Sequence, residues 1–283
     1  MNTSGDWIEI KIQADSLLLE ELSPYFFRIG CQGIDEHSHS FTLYFPGKIW
    51  DDAKKSELVT ILEQKNIMSD KISYHSLKDE NWNENWKESF KTFRLGENIV
   101  VKPDWEVYKA QEHETVVSIA PKMAFGTGHH ETTKLILMQL EQIIKPRISV
   151  LDAGTGSAIL AIYCALMGAH RITAFDIDPV AVENAAENAM LNNVTGKLQL
   201  KCCTLQEIVK EAYDLIVANI NRNVLLEMAP ALNVYVKPGT VLLLSGLLRA
   251  DRAAIQETYA KEGWQMDSSA ELGEWLLLKM IRS

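Results

Sequence analysis

From residue 130 onward, apolar runs of strand length alternate with helical patterns, and this alternation is the strongest constraint on how the chain can fold. Helical spacing over "ETTKLILMQLEQII", "SAILAIYCALMG" and "PVAVENAAENAMLNN" is interrupted by "ISVLDAG" and "RITAFDID". "KLQLKC", "YDLIVANI" and "TVLLLSG" continue as short apolar strands, with helices expected from about 204 to 211, from about 222 to 235 and over "DRAAIQETYAKEG". Strands flanked by helices on both faces imply a mainly parallel sheet, so the expected fold class is a doubly wound, Rossmann-like α/β domain. "WQMDSS" and "EWLLLKMI" close the chain without an intervening helix, which predicts an antiparallel hairpin at one sheet edge.

The first part of the chain has another rhythm. "DWIEIKIQ" alternates like a half-buried strand, "SLLLEELSPYFFRIG" is helical, "GIDEH" and "FTLYFPG" are two short strands, "DDAKKSELVTILEQKN" is an amphipathic helix and "KISYHSL" a final strand. The order βαββαβ is that of a small ferredoxin-like α+β domain, an architecture used more often for recognition than for chemistry. "KDENWNENWKESFKTF" then spaces Trp82, Trp86, Phe90 and Phe93 as one aromatic stripe on a charged helix. We therefore expect a ferredoxin-like domain over residues 1–78, a linker with the striped helix over 79–110, and the α/β domain over 111–283. With 283 residues, 47% of them hydrophobic, the chain is long enough for two cores.

Charge excludes some partners. The net charge is −10, and residues 1–80 alone carry 8 Lys/Arg against 14 Asp/Glu. An acidic front end disfavours extended nucleic-acid binding and suits a basic protein partner. No apolar run reaches the roughly 18 residues of a membrane span, and "MNTSGDWIEI" lacks signal-peptide features, so no membrane association and a cytoplasmic setting are expected. Cys31, Cys164, Cys202 and Cys203 show no metal or disulfide spacing and read as free thiols. His37, His39, His129 and His130 have no third ligand patterned around them, so no metal is expected.

The candidate site is the turn in "VLDAGTGSAILAI". Gly154 and Gly156 follow a strand and let the backbone approach a ligand closely. The dinucleotide fingerprint wants a glycine or alanine where Ile159 stands, and the carboxylate of Asp152 is a poor neighbour for a pyrophosphate. The cationic amino group and sulfonium of S-adenosylmethionine suit an acidic turn better. Asp176, twenty residues after Gly156, can accept both hydroxyls of a ribose. "DLIVANIN" places Asn219 at a strand end, where its carbonyl can orient an amine. In "AFGTGHHETT", Gly126 and Gly128 allow a mobile lid, Phe125 can cover the reacting centre, and Thr133 can open a helix whose amides receive a carboxylate.

"PKMAFGTGHHETT", "VLDAGTGSAILAI", "AFDIDPVAVENAAENAMLNN", "DLIVANI" and "LLLSGLL", in this order, resemble the bacterial class I methyltransferase family that modifies ribosomal protein L11. The likeness spans residues 82–281, and "MAFGTGHHETT" is its most specific piece. It implies S-adenosylmethionine as cofactor, held by Thr133, Gly154, Asp176 and Asn219, with Asp152, Gly156 and Phe125 beside them. It also implies N-methylation of lysine ε-amines, and of an N-terminal α-amine, on a basic ribosomal protein. Asn219 would orient the amine; no general base is assigned, and a monomer is expected. Ala158 stands where a glycine is usual, which is expected to shift cofactor affinity slightly. Residues 219–222 lack the Asn-Pro-Pro-Tyr of enzymes acting on planar substrates. A class I methyltransferase acting on RNA or a small amine is the alternative; a nicotinamide-dependent oxidoreductase and a binding module with a vestigial pocket are weaker rivals.

Overall fold

The structure, a computed structural model, describes residues 7–14, 16–37, 40–65, 67–77, 90–121 and 127–283. Phe125, Gly126, His39 and the Trp82 and Trp86 of the expected stripe lie outside the described residues. The chain divides into two compact units, residues 1–89 and 90–283.

The first unit runs β1 (Trp7–Ile12), α1 (Ser16–Arg28), β2 (Gly33–His37), β3 (Ser40–Pro46), α2 (Asp52–Gln64), β4 (Ile72–Leu77). Its sheet has the order β2-β3-β1-β4 with every neighbouring pair antiparallel, the ferredoxin-like arrangement. Period-two alternation turns Ile10, Ile12, Phe41, Leu43 and Phe45 into one core with Phe26 of α1 and with Leu58 and Leu62 of α2. Each fully buried leucine there contributes roughly 1.5–3 kcal/mol. Asp51 caps α2 by accepting from the Lys54 amide at 2.8 Å.

The second unit begins with β5 (Phe93–Leu95), β6 (Ile99–Pro103) and β7 (Thr115–Ile119), which form a three-stranded sheet. The residues expected to be linker up to 110 thus contain two strands, and Phe93 sits in a strand rather than on a helix. There follow α3 (Glu131–Ile143), β8 (Ser149–Ala153), α4 (Ile159–Leu166), β9 (Arg171–Asp176), α5 (Pro179–Leu191), β10 (Leu198–Cys202) and β11 (Leu215–Asn219). The chain ends with α6 (Arg222–Met228), β12 (Val241–Leu248), α7 (Arg252–Lys261), β13 (Trp264–Leu272) and β14 (Trp275–Arg282). The seven strands order as β10-β9-β8-β11-β12-β14-β13, parallel through β12 and closed by the antiparallel hairpin β13–β14. This is a doubly wound sheet with an antiparallel hairpin at one edge, as the apolar pattern predicts. Alternate residues feed two cores: Val150, Val217 and Leu243 pack on one side of the sheet, Leu151, Ile216 and Leu244 on the other.

Two expected helices are shorter than their patterns. The stretch 204–211 makes only a 3-10 turn, Leu205–Glu207, closed where Ile208 turns extended; the buried Tyr235 hydroxyl donates to the Leu205 carbonyl at 2.6 Å, with the Ile208 carbonyl 3.2 Å away. The Leu205 carbonyl also accepts the Ile208 amide at 3.1 Å, the three-residue bond of a 3-10 turn rather than the four-residue bond of an α-helix. The stretch 222–235 is helical to Met228 and continues as a 3-10 turn, Pro230–Val234; Pro230 lacks the amide that would extend the helix. Among the described residues, no helix is long and apolar enough to cross a membrane.

Candidate cofactor and amine site

β8 and β11 are neighbours, yet the chain runs outward from β8 to β10 before returning to β11, so strand order reverses between them. A cleft at the carboxyl ends of such strands is where an open α/β sheet accepts a ligand. A cavity of about 690 Å³ lies there, and its walls include Gly154, Gly156, Asp176, Asn219, Ile220 and Trp275.

The turn after β8 is tied to the end of β9. The Gly154 and Thr155 amides both donate to the Phe175 carbonyl at 3.0 Å, and the Gly156 amide donates to the Asp176 carboxylate at 3.0 Å. The other Asp176 oxygen accepts the Asp178 amide at 3.1 Å. Each oxygen keeps a lone pair, so the carboxylate is held rigid and can still accept two hydroxyls. Gly154, Gly156 and Ala158 have φ of 71°, 53° and 62°. Glycine adopts this region freely, whereas alanine does so at a cost of about 1–2 kcal/mol. Ala158 is buried and is not part of the cavity wall. A side chain at Gly154 would collide with that of Ile220.

Asn219 ends β11 and lines the cavity. Its amide nitrogen donates to Thr133 Oγ1 at 3.2 Å, while its buried carbonyl oxygen has no partner among the described residues. A buried acceptor left unpaired costs about 1–3 kcal/mol, a deficit that a ligand N–H removes. Thr133 itself is 1% exposed and is not in the wall, so the structure turns it towards Asn219. Helix α3 begins before it, capped by His130, whose Nδ1 accepts from the Thr132 amide at 3.3 Å. The His130 ring packs edge-on to Trp275 at 4.8 Å, and both line the cavity. Among the described lining residues the carboxylates are Asp176 and Glu227, with no lysine or arginine.

A family model described as ribosomal protein L11 methyltransferase (PrmA) matches residues 6–283. The chain belongs to that family. A relative named ribosomal protein L11 methyltransferase from Desulfotalea psychrophila is 35% identical over 294 residues, covering 97% of each chain. Another of that name from Acetivibrio thermocellus is 30% identical over 308 residues, covering 96% of this chain and 97% of its own. The solved ribosomal protein L11 methylase from Lactobacillus delbrueckii subsp. bulgaricus superposes with a TM-score of 0.64 at 31% identity. It covers 68% of this chain and 99% of its own.

In this family member Asp152 does not face the cleft, contrary to the expectation that it would meet a cationic ligand. It is 1% exposed and absent from the cavity wall, because β8 is central and covered on both faces. One oxygen accepts the Thr155 hydroxyl at 2.7 Å; the other has no close hydrogen-bond partner among the described residues and is steadied only by the Ala161 amide. Burial pushes its pKa up to about 7, with the Asp176 charge adding to the rise and the Thr155 hydrogen bond opposing it. The folded state then holds a proton that the unfolded chain releases near pH 4. The stabilisation is complete below that pH and is lost as pH rises through about 7. Asp152→Asn, which cannot ionise, should lose this dependence; urea unfolding at pH 5 and pH 8 should show the variant gaining on the wild type by a few kcal/mol at the higher pH.

Among the described residues no group of three or more His, Cys, Asp or Glu side chains could hold a metal ion. His129 packs against Phe90 and Phe93 at 5.2 and 4.5 Å, and burial holds its pKa below the usual range. Sequence reasoning missed Trp275, His130 and Glu227 as cavity residues. Trp275 arrives from the closing hairpin, far along the chain from Asn219, and no local pattern announces it.

Proposed function

We propose that this protein transfers methyl groups from S-adenosylmethionine to lysine ε-amines, and to an N-terminal α-amine, of ribosomal protein L11. It works as a monomer in the cytoplasm, without nucleic acid or membrane. The observation that carries the reading is the unpaired Asn219 carbonyl on a residue that lines the cavity. The curated relatives are named for the same substrate.

The cavity fits the cofactor. Asp176 suits the ribose hydroxyls, and Gly154 and Gly156 leave room along the main chain. S-adenosylmethionine supplies an electrophilic methyl group on a sulfonium. The protein's part is alignment and the maintenance of a neutral amine. A lysine in water titrates at about 10.4, and enclosure against Trp275 and Ile220 favours its uncharged form. Asn219 accepts an amine N–H and aims the nitrogen lone pair; Thr133 holds the Asn219 amide in place. The proton leaves to water. The acidic first unit is the docking module for the basic substrate.

Asp176→Ala should weaken S-adenosylmethionine binding about a hundredfold by calorimetry, since it removes two charge-assisted hydrogen bonds and the Gly156 anchor. The deciding experiment incubates the protein and labelled cofactor with isolated L11, ribosomal RNA or free small amines, with mass spectrometry of the products. Methylation of L11 lysines is expected. Label in RNA or small amines with L11 unmodified overturns the substrate and leaves the cofactor standing.

A further inference from the structure

Helix α5 carries Asn184 and Asn188, and Asn192 caps its C-terminus, one per turn along a single face. They take the place of a neighbouring strand for the end of β7. Asn192 accepts the Ser118 amide at 2.8 Å and donates to the Ser118 carbonyl at 2.6 Å. Asn188 accepts the Ala120 amide at 2.8 Å, and Asn184 donates to the Ala120 carbonyl at 3.3 Å. Asn188 alone reaches further: its amide nitrogen donates to the Ser157 carbonyl at 2.9 Å and to Asn184 at 3.2 Å. It is fully buried and its amide is used on both sides.

Ser157 precedes Ala158, the alanine held in the left-handed region, and follows Gly156, whose amide braces Asp176. Rotating the 157–158 peptide is the motion that would relieve Ala158. That rotation takes the Ser157 carbonyl off the Asn188 amide. Ala158 is where a glycine would sit without strain, so this chain needs a restraint at that peptide that a glycine would not.

We infer that Asn188 is a positioning residue for the cofactor: it pins the Ser157–Ala158 peptide and so keeps the Gly154–Gly156 turn and Asp176 in the binding geometry. The inference rests on the cavity being the S-adenosylmethionine site. Asn192, on the same face but tied among the described residues to Ser118 and its own helix, is the control.

The test measures S-adenosylmethionine Kd by calorimetry, its KM and kcat with L11, and Tm, on the full-length protein. Asn188→Ala should raise Kd and KM about tenfold while kcat at saturating cofactor stays within about twofold. Asn192→Ala should lower Tm comparably and leave Kd within about twofold. In an Ala158→Gly background the Asn188→Ala penalty should shrink to about threefold, because the turn no longer pulls against its restraint. Equal Kd shifts for the two asparagines, or a penalty unchanged by Ala158→Gly, overturns the inference. Should Asn188→Ala alone fail to fold, both asparagine variants are compared in the Ala158→Gly background, where the same equality decides. Absence of wild-type binding instead overturns the cofactor reading itself.

Discussion

Removal of residues 1–75 is expected to abolish methylation of ribosomal protein L11 while leaving S-adenosylmethionine affinity within about threefold of the full chain. The division of cores makes the cut tolerable. Among the described residues, Ile10, Phe26, Phe41 and Leu58 pack in a cluster of first-unit side chains, and the two cores flanking the large sheet are built from second-unit side chains. What is lost is the acidic surface. With 8 basic against 14 acidic side chains in residues 1–80, it attracts a basic protein over a range set by the Debye length, about 10 Å at 0.1 M salt. The KM for L11 on the full chain should therefore rise with ionic strength, while the Kd for the cofactor stays flat. Equal loss of both affinities in the truncated protein would contradict a separate docking module.

Asn219→Ala should lower kcat by about 10²- to 10³-fold, the scale seen when one preorganised polar contact to a reacting group is removed. Cofactor affinity should change far less, since Asp176 and the glycine turn remain. Thr133→Val should reproduce the defect in weaker form, roughly tenfold, by freeing the Asn219 amide to rotate. Stopped-flow single turnovers separate these effects from product release. A large rise in cofactor Kd with little change in the transfer rate would reassign Asn219 to binding alone.

Much of this was legible in the residues. Alternating apolar strands and patterned helices fix a doubly wound sheet, and the helix-free closing strands do form the edge hairpin. Gly154 and Asn219 could be placed at facing strand ends because each closes an apolar run. Asp152 misled because a motif records a carboxylate but not its direction, and in a central strand both faces are covered. The stretch 204–211 misled because the chain turns extended at Ile208 after a single 3-10 turn, which apolar spacing does not record. Trp275 and the bond between Thr133 and Asn219 depend on contacts between distant segments, which no local spacing encodes.

β12 shifts register between Leu244 and Leu247, and within that irregularity Gly246 has φ of 81°. Any side chain there would strike the main chain of Ile220, so bare peptide abuts bare peptide beside Asn219. The cavity therefore takes its dimensions at this wall from contact between two main chains rather than from side chains. Neutral drift among the surrounding apolar residues can erode thermal resistance long before it alters the reach between donor and acceptor.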